Sequence, residues 1–115
     1  MVISNVESPA QKTDALERLI NLSPQCILCC DDAMAHYVVR QLRRRGIQVP
    51  SQIRVASLYD SELLESMQPA VTAVKFDGAA LSAAACRMLL DHLDGKPVDG
   101  HLQLGHQLVL RDSTK

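Results

Sequence analysis

The densest run of chemically capable side chains is CILCCDDAMAH, Cys26 to His36, which holds three thiols, two carboxylates and an imidazole. Cys26 and Cys29 form a C-x-x-C, a spacing that in other settings holds zinc or a thioredoxin-like redox pair. Ile27 and Leu28 between them read as strand, and strand side chains alternate, so an offset of three sends the two thiols to opposite faces of a sheet. They cannot share a metal. A redox pair also needs its first thiolate at a helix N-terminus, where the dipole lowers its pKa. The cysteines, with Cys86 in mid-helix among alanines, are therefore expected as small buried apolar groups that stay reduced. Asp32 and His36 stand four residues apart on a helix, but no third ligand is near, so His36 is expected at a surface or interface. His92, His101 and His106 have no spacing that suggests ligation or a dyad. No metal and no cofactor is expected. With no nucleophile-base pair and no phosphate-binding glycine loop, neither is an enzyme.

Asp31 and Asp32 fall where a strand hands over to a helix, the carboxyl edge at which parallel α/β sheets bind ligands. Asp32, directly before AMAHYVV, is placed to cap the helix N–H groups. That leaves Asp31 over the sheet edge, for ligand contact or as part of a solvated loop.

The elements that must position these groups follow from hydrophobic period and punctuation. Val2 to Glu7 is a short alternating stretch. In SPAQ, Ser8 is an N-cap, Pro9 takes the first helical position and Gln11 closes a capping box. The stripe Ala15, Leu16, Leu19, Ile20 carries that helix toward Pro24, which blocks continuation. CILCC is a continuous apolar run, the signature of a strand covered on both faces. From Ala33 a second helix carries Met34, Tyr37, Val38 and Leu42 on one side and ends at Gly46. Ile53 to Tyr59 is another buried strand, DSELLESMQ has two turns of helical composition, and Ala70 to Phe76 is strand-like. The longest helix follows, with Leu81, Ala84, Ala85, Met88, Leu89 and His92 on one face and Gly95 as its stop. HLQLGHQLVLR reads as two short strands around Gly105. Strands alternating with helices predict an α/β three-layer sandwich with a mostly parallel sheet.

A length of 115 residues with 47% hydrophobic content suits one domain with its own core. The formal net charge of -1 gives no global pull toward nucleic acid or an anionic membrane. RQLRRRG is a local basic cluster that suits the solvated last turn of a helix, where cations complement the carbonyl end of the dipole. No run approaches the ~20 apolar residues of a membrane span. The N-terminus has neither the basic start nor the apolar centre of a signal peptide. The cytoplasm is the expected compartment.

The stretch CCDDAMAHYVVRQLRRRGIQVPSQIRVASLYDSELLESMQPAVTAVKFD, followed by LVLRDST, resembles the last part of the effector-binding domain of the lactose-repressor (LacI/GalR) family of transcription regulators. That family runs from Asn-Asp at a strand end through Met-Ala, Gly-x-x-Val-Pro, a strand ending in Gly-Phe/Tyr-Asp-Asp, and Pro-x-Leu-Thr-Thr-Val to a closing Leu-x-x-Arg-x-Ser/Thr. Nearly every element is present in order from about Pro24 to Thr114, and the combination is far more specific than any one alone. The resemblance implies a periplasmic-binding-protein-like type I fold, of which residues 1–115 would be a single, incomplete C-terminal lobe. The helix-turn-helix headpiece that reads DNA would lie outside this sequence. The resemblance also implies a small-molecule effector, a sugar or other metabolite, held between two lobes and contacted from this side by Asp31, Tyr59 and Phe76. An acid and two aromatics there depart from the usual sugar-binding choices. Asp32 matches the helix-capping position and Asp60 a loop-structuring one. A homodimer is implied through His36 and Arg40 on one helix, with Met67 and Gln68 before Pro69. Two alternatives share parts of the pattern. A phosphoacceptor receiver domain also starts with an acidic pair after a buried strand but needs a third Asp later than Asp60. A secreted solute-binding protein has the same fold.

Overall fold

Alternating strand and helix patterns build one mixed sheet with helices packed on it. The computed structural model describes residues 1–4, 6 and 8–115. The elements run α1 (Pro9–Asn21), β1 (Cys26–Cys29), α2 (Asp32–Arg44), β2 (Arg54–Ser57), α3 (Glu62–Glu65), β3 (Thr72–Phe76), α4 (Gly78–Leu93) and β4 (His106–Val109). The sheet order is β1-β2-β3-β4, with the first three strands parallel and β4 antiparallel to β3. Of the stretch Val2 to Glu7, Asn5 and Glu7 lie outside the described residues, and the others form no strand.

Local chemistry sets the helix ends. Ser8 and Gln11 close the capping box at the start of α1, each side chain bonding the other's backbone N–H. Gly46 and Gly95, at φ 74° and 71°, take the left-handed turn just past α2 and α4. The core lies between one face of the sheet and helices α1 to α3. Ile27, Cys29, Val55 and Ala73 from the strands meet Leu16, Val38, Leu42 and Leu64.

The opposite face differs from expectation. Cys26 and Leu28 of β1 and Arg54 of β2 are exposed, so these strands are covered on one side within the described residues. The second helical layer of a sandwich is not among them either. Helix α4, the one element free to supply it, buries no residue. On its expected core face Leu81, Ala85, Leu89 and His92 are exposed and only Ala84 and Met88 are half-buried; Cys86, also expected in the core, is exposed. The continuous apolar runs that signal two-sided cover are present, and their second cover is not among the described residues. The tail also forms one strand rather than two. Asp77 caps α4 directly after β3, so Phe76–His106 is the last rung and residues before His106 have no strand to pair with.

The C-terminal segment, residues 111–114, ties the sheet together. Strands β2 and β3 pair only at Ala56–Thr72 and Ser57–Ala73, and Ser113 fills the gap ahead of those rungs. Val55 N–H donates to the Ser113 carbonyl at 3.1 Å, the Ser113 hydroxyl donates to the Val55 carbonyl at 2.6 Å, and Thr72 N–H donates to Ser113 Oγ at 2.9 Å. The Arg111 guanidinium donates two parallel bonds to the Asp60 carboxylate, 2.6 and 3.0 Å, and a third to the Val71 carbonyl at 2.8 Å. Thr72 Oγ1 accepts from Arg111 N–H at 2.8 Å and lies 2.6 Å from Thr114 Oγ1. The two ion-pair side chains are only 13% and 7% exposed. The two-pronged geometry matches the fixed fork of Arg to both carboxylate oxygens.

Because Arg111 holds the Asp60 carboxyl below the ordinary carboxylate range, the ionised form is favoured in the fold. The contribution is complete above the unfolded value, about 3.9, and is lost as pH falls through the lower folded value. Urea unfolding followed across acid pH should show this loss in the wild type and not in Asp60→Asn. Arg111→Ala, which strands a buried carboxylate, is expected to cost about 3 kcal/mol at neutral pH. An unchanged unfolding midpoint would show that the clasp does not support the fold.

Candidate functional site

In a parallel sheet the carboxyl ends of adjacent strands lie on one edge, and three positions singled out in the sequence arrive there. Asp31 follows β1 by two residues, Tyr59 follows β2 by two, and Phe76 ends β3. All three are exposed, Tyr59 by 52% and Phe76 by 46%. The backbone beneath each is fixed. Tyr59 is held by Ser57, itself buried, whose hydroxyl donates to the Tyr59 carbonyl at 2.7 Å and accepts from Tyr59 N–H at 3.2 Å. Phe76 is held by its rung with His106 and by the Asp77 carboxylate, which accepts from Ala80 N–H at 2.9 Å at the start of α4.

The cap expected of Asp32 falls to Asp31 instead. Asp31 is the N-cap of α2, its Oδ1 accepting from Met34 N–H at 2.7 Å. Asp32 is already the first helical residue and accepts from Ala33 N–H at 2.9 Å. The reason is register. A cap needs an extended backbone one residue outside the helix, and Asp31 has it, at φ -144° and ψ 172°. The helix starts one residue earlier than the apolar pattern suggests. The Asp31 carboxylate is therefore tied to the backbone, with Cys30 Sγ donating to its Oδ2 at 3.6 Å.

Asp60 sits beyond β2 in its ion pair with Arg111, so it does not join Asp31 and Asp32 in the acidic cluster that a phosphoacceptor site requires. Among the described residues no group of three or more His, Cys, Asp or Glu is placed to hold a metal ion. The C-x-x-C splits as the strand pleat dictates, with Cys26 exposed and Cys29 buried. Burial pushes the Cys29 thiol up to about 12, which suits a core side chain and not a nucleophile. His36 is half-buried and Arg40 exposed on α2; Met67, packed against the core, and exposed Gln68 follow α3, which packs against α2. A gap of about 670 Å³ opens between α1 and β1, lined by Leu16, Leu19, Ile27 and Leu28 and reaching Asp31 and Leu58.

Sequence reasoning passed over two groups. His106 carried no ligand spacing, yet the β3–β4 rung sets its ring 6.3 Å from that of Phe76, tilted by 50°. Ser113 showed no periodic signal because its partners are 41 and 58 residues away in the chain.

The profile of the periplasmic binding protein-like domain matches residues 3–114. The chain belongs to that family. Its relatives are transcription regulators. The HTH-type regulator MalR of Streptomyces coelicolor is 32% identical over 101 residues, covering 87% of this chain and 29% of its own length. A LacI-family regulator from Bifidobacterium animalis superposes with a TM-score of 0.82 at 25% identity, over 93% of this chain and 40% of that one. The Lac repressor dimer bound to operator and the anti-inducer ONPF gives 0.81 at 27%, over 93% and 38%. The chain thus spans about three tenths of the length of MalR, and the resemblance to LacI/GalR effector-binding domains holds at the level of family and fold. The homologues are regulators rather than enzymes. Among the described residues no helix is long and apolar enough to cross a membrane.

Asp31→Ala should destabilise the chain by about 1 kcal/mol through loss of the cap, and Asp31→Asn by much less. A larger cost for Asp32→Ala than for Asp31→Ala in urea unfolding would return the cap to Asp32. In the folded protein, iodoacetamide should label exposed Cys30 and Cys86 and spare Cys29. Rapid labelling of Cys29 under native conditions, read by peptide mass, would contradict its burial.

Proposed function

We propose that this chain is the effector-sensing and dimerising part of a transcription regulator, most simply a repressor. The single observation that carries the reading is the delivery of Tyr59 and Phe76, with Asp31 beside them, to one edge of the sheet on fixed backbone. A small molecule would lie across that edge, closed over by a second lobe as in two-lobed binding proteins. Exposed aromatic rings on a rigid frame suit that task, since they offer large contact area at low entropic cost. The Asp31 carboxylate, held by the helix cap, contributes charge and one remaining acceptor. Residues 1–115 make a single partial domain, and DNA would be met by a separate helix-turn-helix headpiece. The thiols and their reduced state fit the cytoplasm.

The dimer would form through the outer side of α2 around His36 and Arg40, with Met67 and Gln68 beside it. A helix can bury one stripe in its core and offer the other to a partner, and Met adapts to irregular contacts. The Lac repressor solved with operator and ONPF is a dimer.

Two measurements test the reading. A metabolite library screened by NMR should give ligands that perturb the amides of Tyr59 and Phe76, and Tyr59→Ala should weaken them about tenfold or more, the loss of one buried aromatic contact. Ligands that perturb only the gap beside β1 would move the site there. Light scattering should give a dimeric mass that Met67→Glu shifts to monomer. A monomer at every concentration in the wild type would remove this interface.

A further inference from the structure

The chain has two tyrosines, one phenylalanine and no tryptophan. Tyr37 is half-buried and its hydroxyl lies 3.1 Å from Thr13 Oγ1. The other two rings, Tyr59 and Phe76, are about half exposed at or past the carboxyl ends of neighbouring strands. The rung Ser57–Ala73 sets the two strand ends level, Tyr59 two residues beyond one partner and Phe76 three beyond the other. The rung of Phe76 itself adds a third ring, that of its direct partner His106, exposed and on the same face of the β3–β4 ribbon. A centroid distance of 6.3 Å lies within the range of paired aromatic rings, and the 50° tilt leaves part of each face open.

The polar groups at this edge are few. Three carboxylates follow the strand ends, and each is already engaged: Asp31 Oδ1 accepts from Met34 N–H, Asp77 Oδ1 accepts from Ala80 N–H, and Asp60 is paired with Arg111. A carboxylate only accepts, and a two-oxygen grip on adjacent hydroxyls needs both oxygens free. The site is thus rich in ring faces and poor in the paired polar groups that an all-hydroxyl sugar demands.

We propose that His106 joins Phe76 and Tyr59 in an aromatic clamp that selects an effector bearing a planar heteroaromatic ring, of the nucleoside kind, over a simple sugar. The clamp rests on the effector reading given above and names its ligand class. Stacking supplies the affinity, since every such ring has a face to offer, and His106 adds a ring nitrogen able to donate or accept at the ligand's edge. His106 is a specificity-determining residue that no helical or ligand spacing in the sequence reveals.

The test is titration of the 115-residue chain with adenosine, cytidine, glucose and maltose, followed by the ring resonances of Tyr59, Phe76 and His106. The nucleosides should shift all three saturably and the sugars should not. Phe76→Leu, which keeps bulk and removes the ring, should weaken nucleoside binding about tenfold, in line with the usual value of one base stack. His106→Ala should weaken it at least about threefold for the same reason, with the circular dichroism spectrum unchanged in both variants. Sugars that bind at Tyr59 and Phe76 while nucleosides do not would overturn the clamp and leave the effector reading standing. Nucleoside affinity indifferent to both substitutions would also overturn it. Silence of this edge toward all four probes would count against clamp and effector reading together.

Discussion

The Arg111–Asp60 ion pair and the Ser113 rung beside it join the last residues of the chain to the middle of the sheet. Strands β2 and β3 share only two rungs of their own, and without Ser113 the backbone groups of Val55 and Thr72 ahead of those rungs would be buried and unpaired. An unmet buried backbone group costs about as much as a lost hydrogen bond, so the clasp decides whether the two strands stay parallel and close. That spacing in turn fixes where Tyr59 and Phe76 stand. The geometry of the candidate site is therefore braced twice, by Ser113 at the starts of β2 and β3 and by the Arg111 pair with Asp60, the residue after Tyr59.

Much of the fold was legible because its signals are local. The capping box at Ser8, the glycine stops at Gly46 and Gly95, and the alternation of apolar runs with amphipathic stretches each depend on neighbours a few residues apart. The cap at Asp31 was missed by one position, since two adjacent aspartates offer the same chemistry and only the backbone angles choose between them. The fold class was legible, and the expected burial of some residues was not, for a different reason. Apolar content states that a surface must be covered and not by what, so Leu28, Leu81 and Cys86 read as core while standing exposed in this chain. His106 and Ser113 act through strand pairing across tens of residues, which no periodicity records.

The exposed faces and the short span relative to MalR belong to one picture. The sheet face bearing Cys26 and Leu28 and the apolar length of α4 are the exposed apolar surfaces in question. Helix α4 is joined to the body through β3 on one side and β4 on the other, an antiparallel ribbon whose outermost rung is Phe76–His106. That rung stands directly before the start of α4 at Gly78.

The clasp also sets an order of events during synthesis. A chain leaves the ribosome from its N-terminus, and domains generally close as units once their parts are available. The strands β1, β2 and β3 all emerge before Ser113, yet the serine must be seated for β2 and β3 to be fully bonded. Until that moment the nascent sheet carries unpaired backbone between two of its strands, open to whichever segment arrives first. The last bonds of the β2–β3 seam thus wait on residue 113, two positions from the end of the sequence.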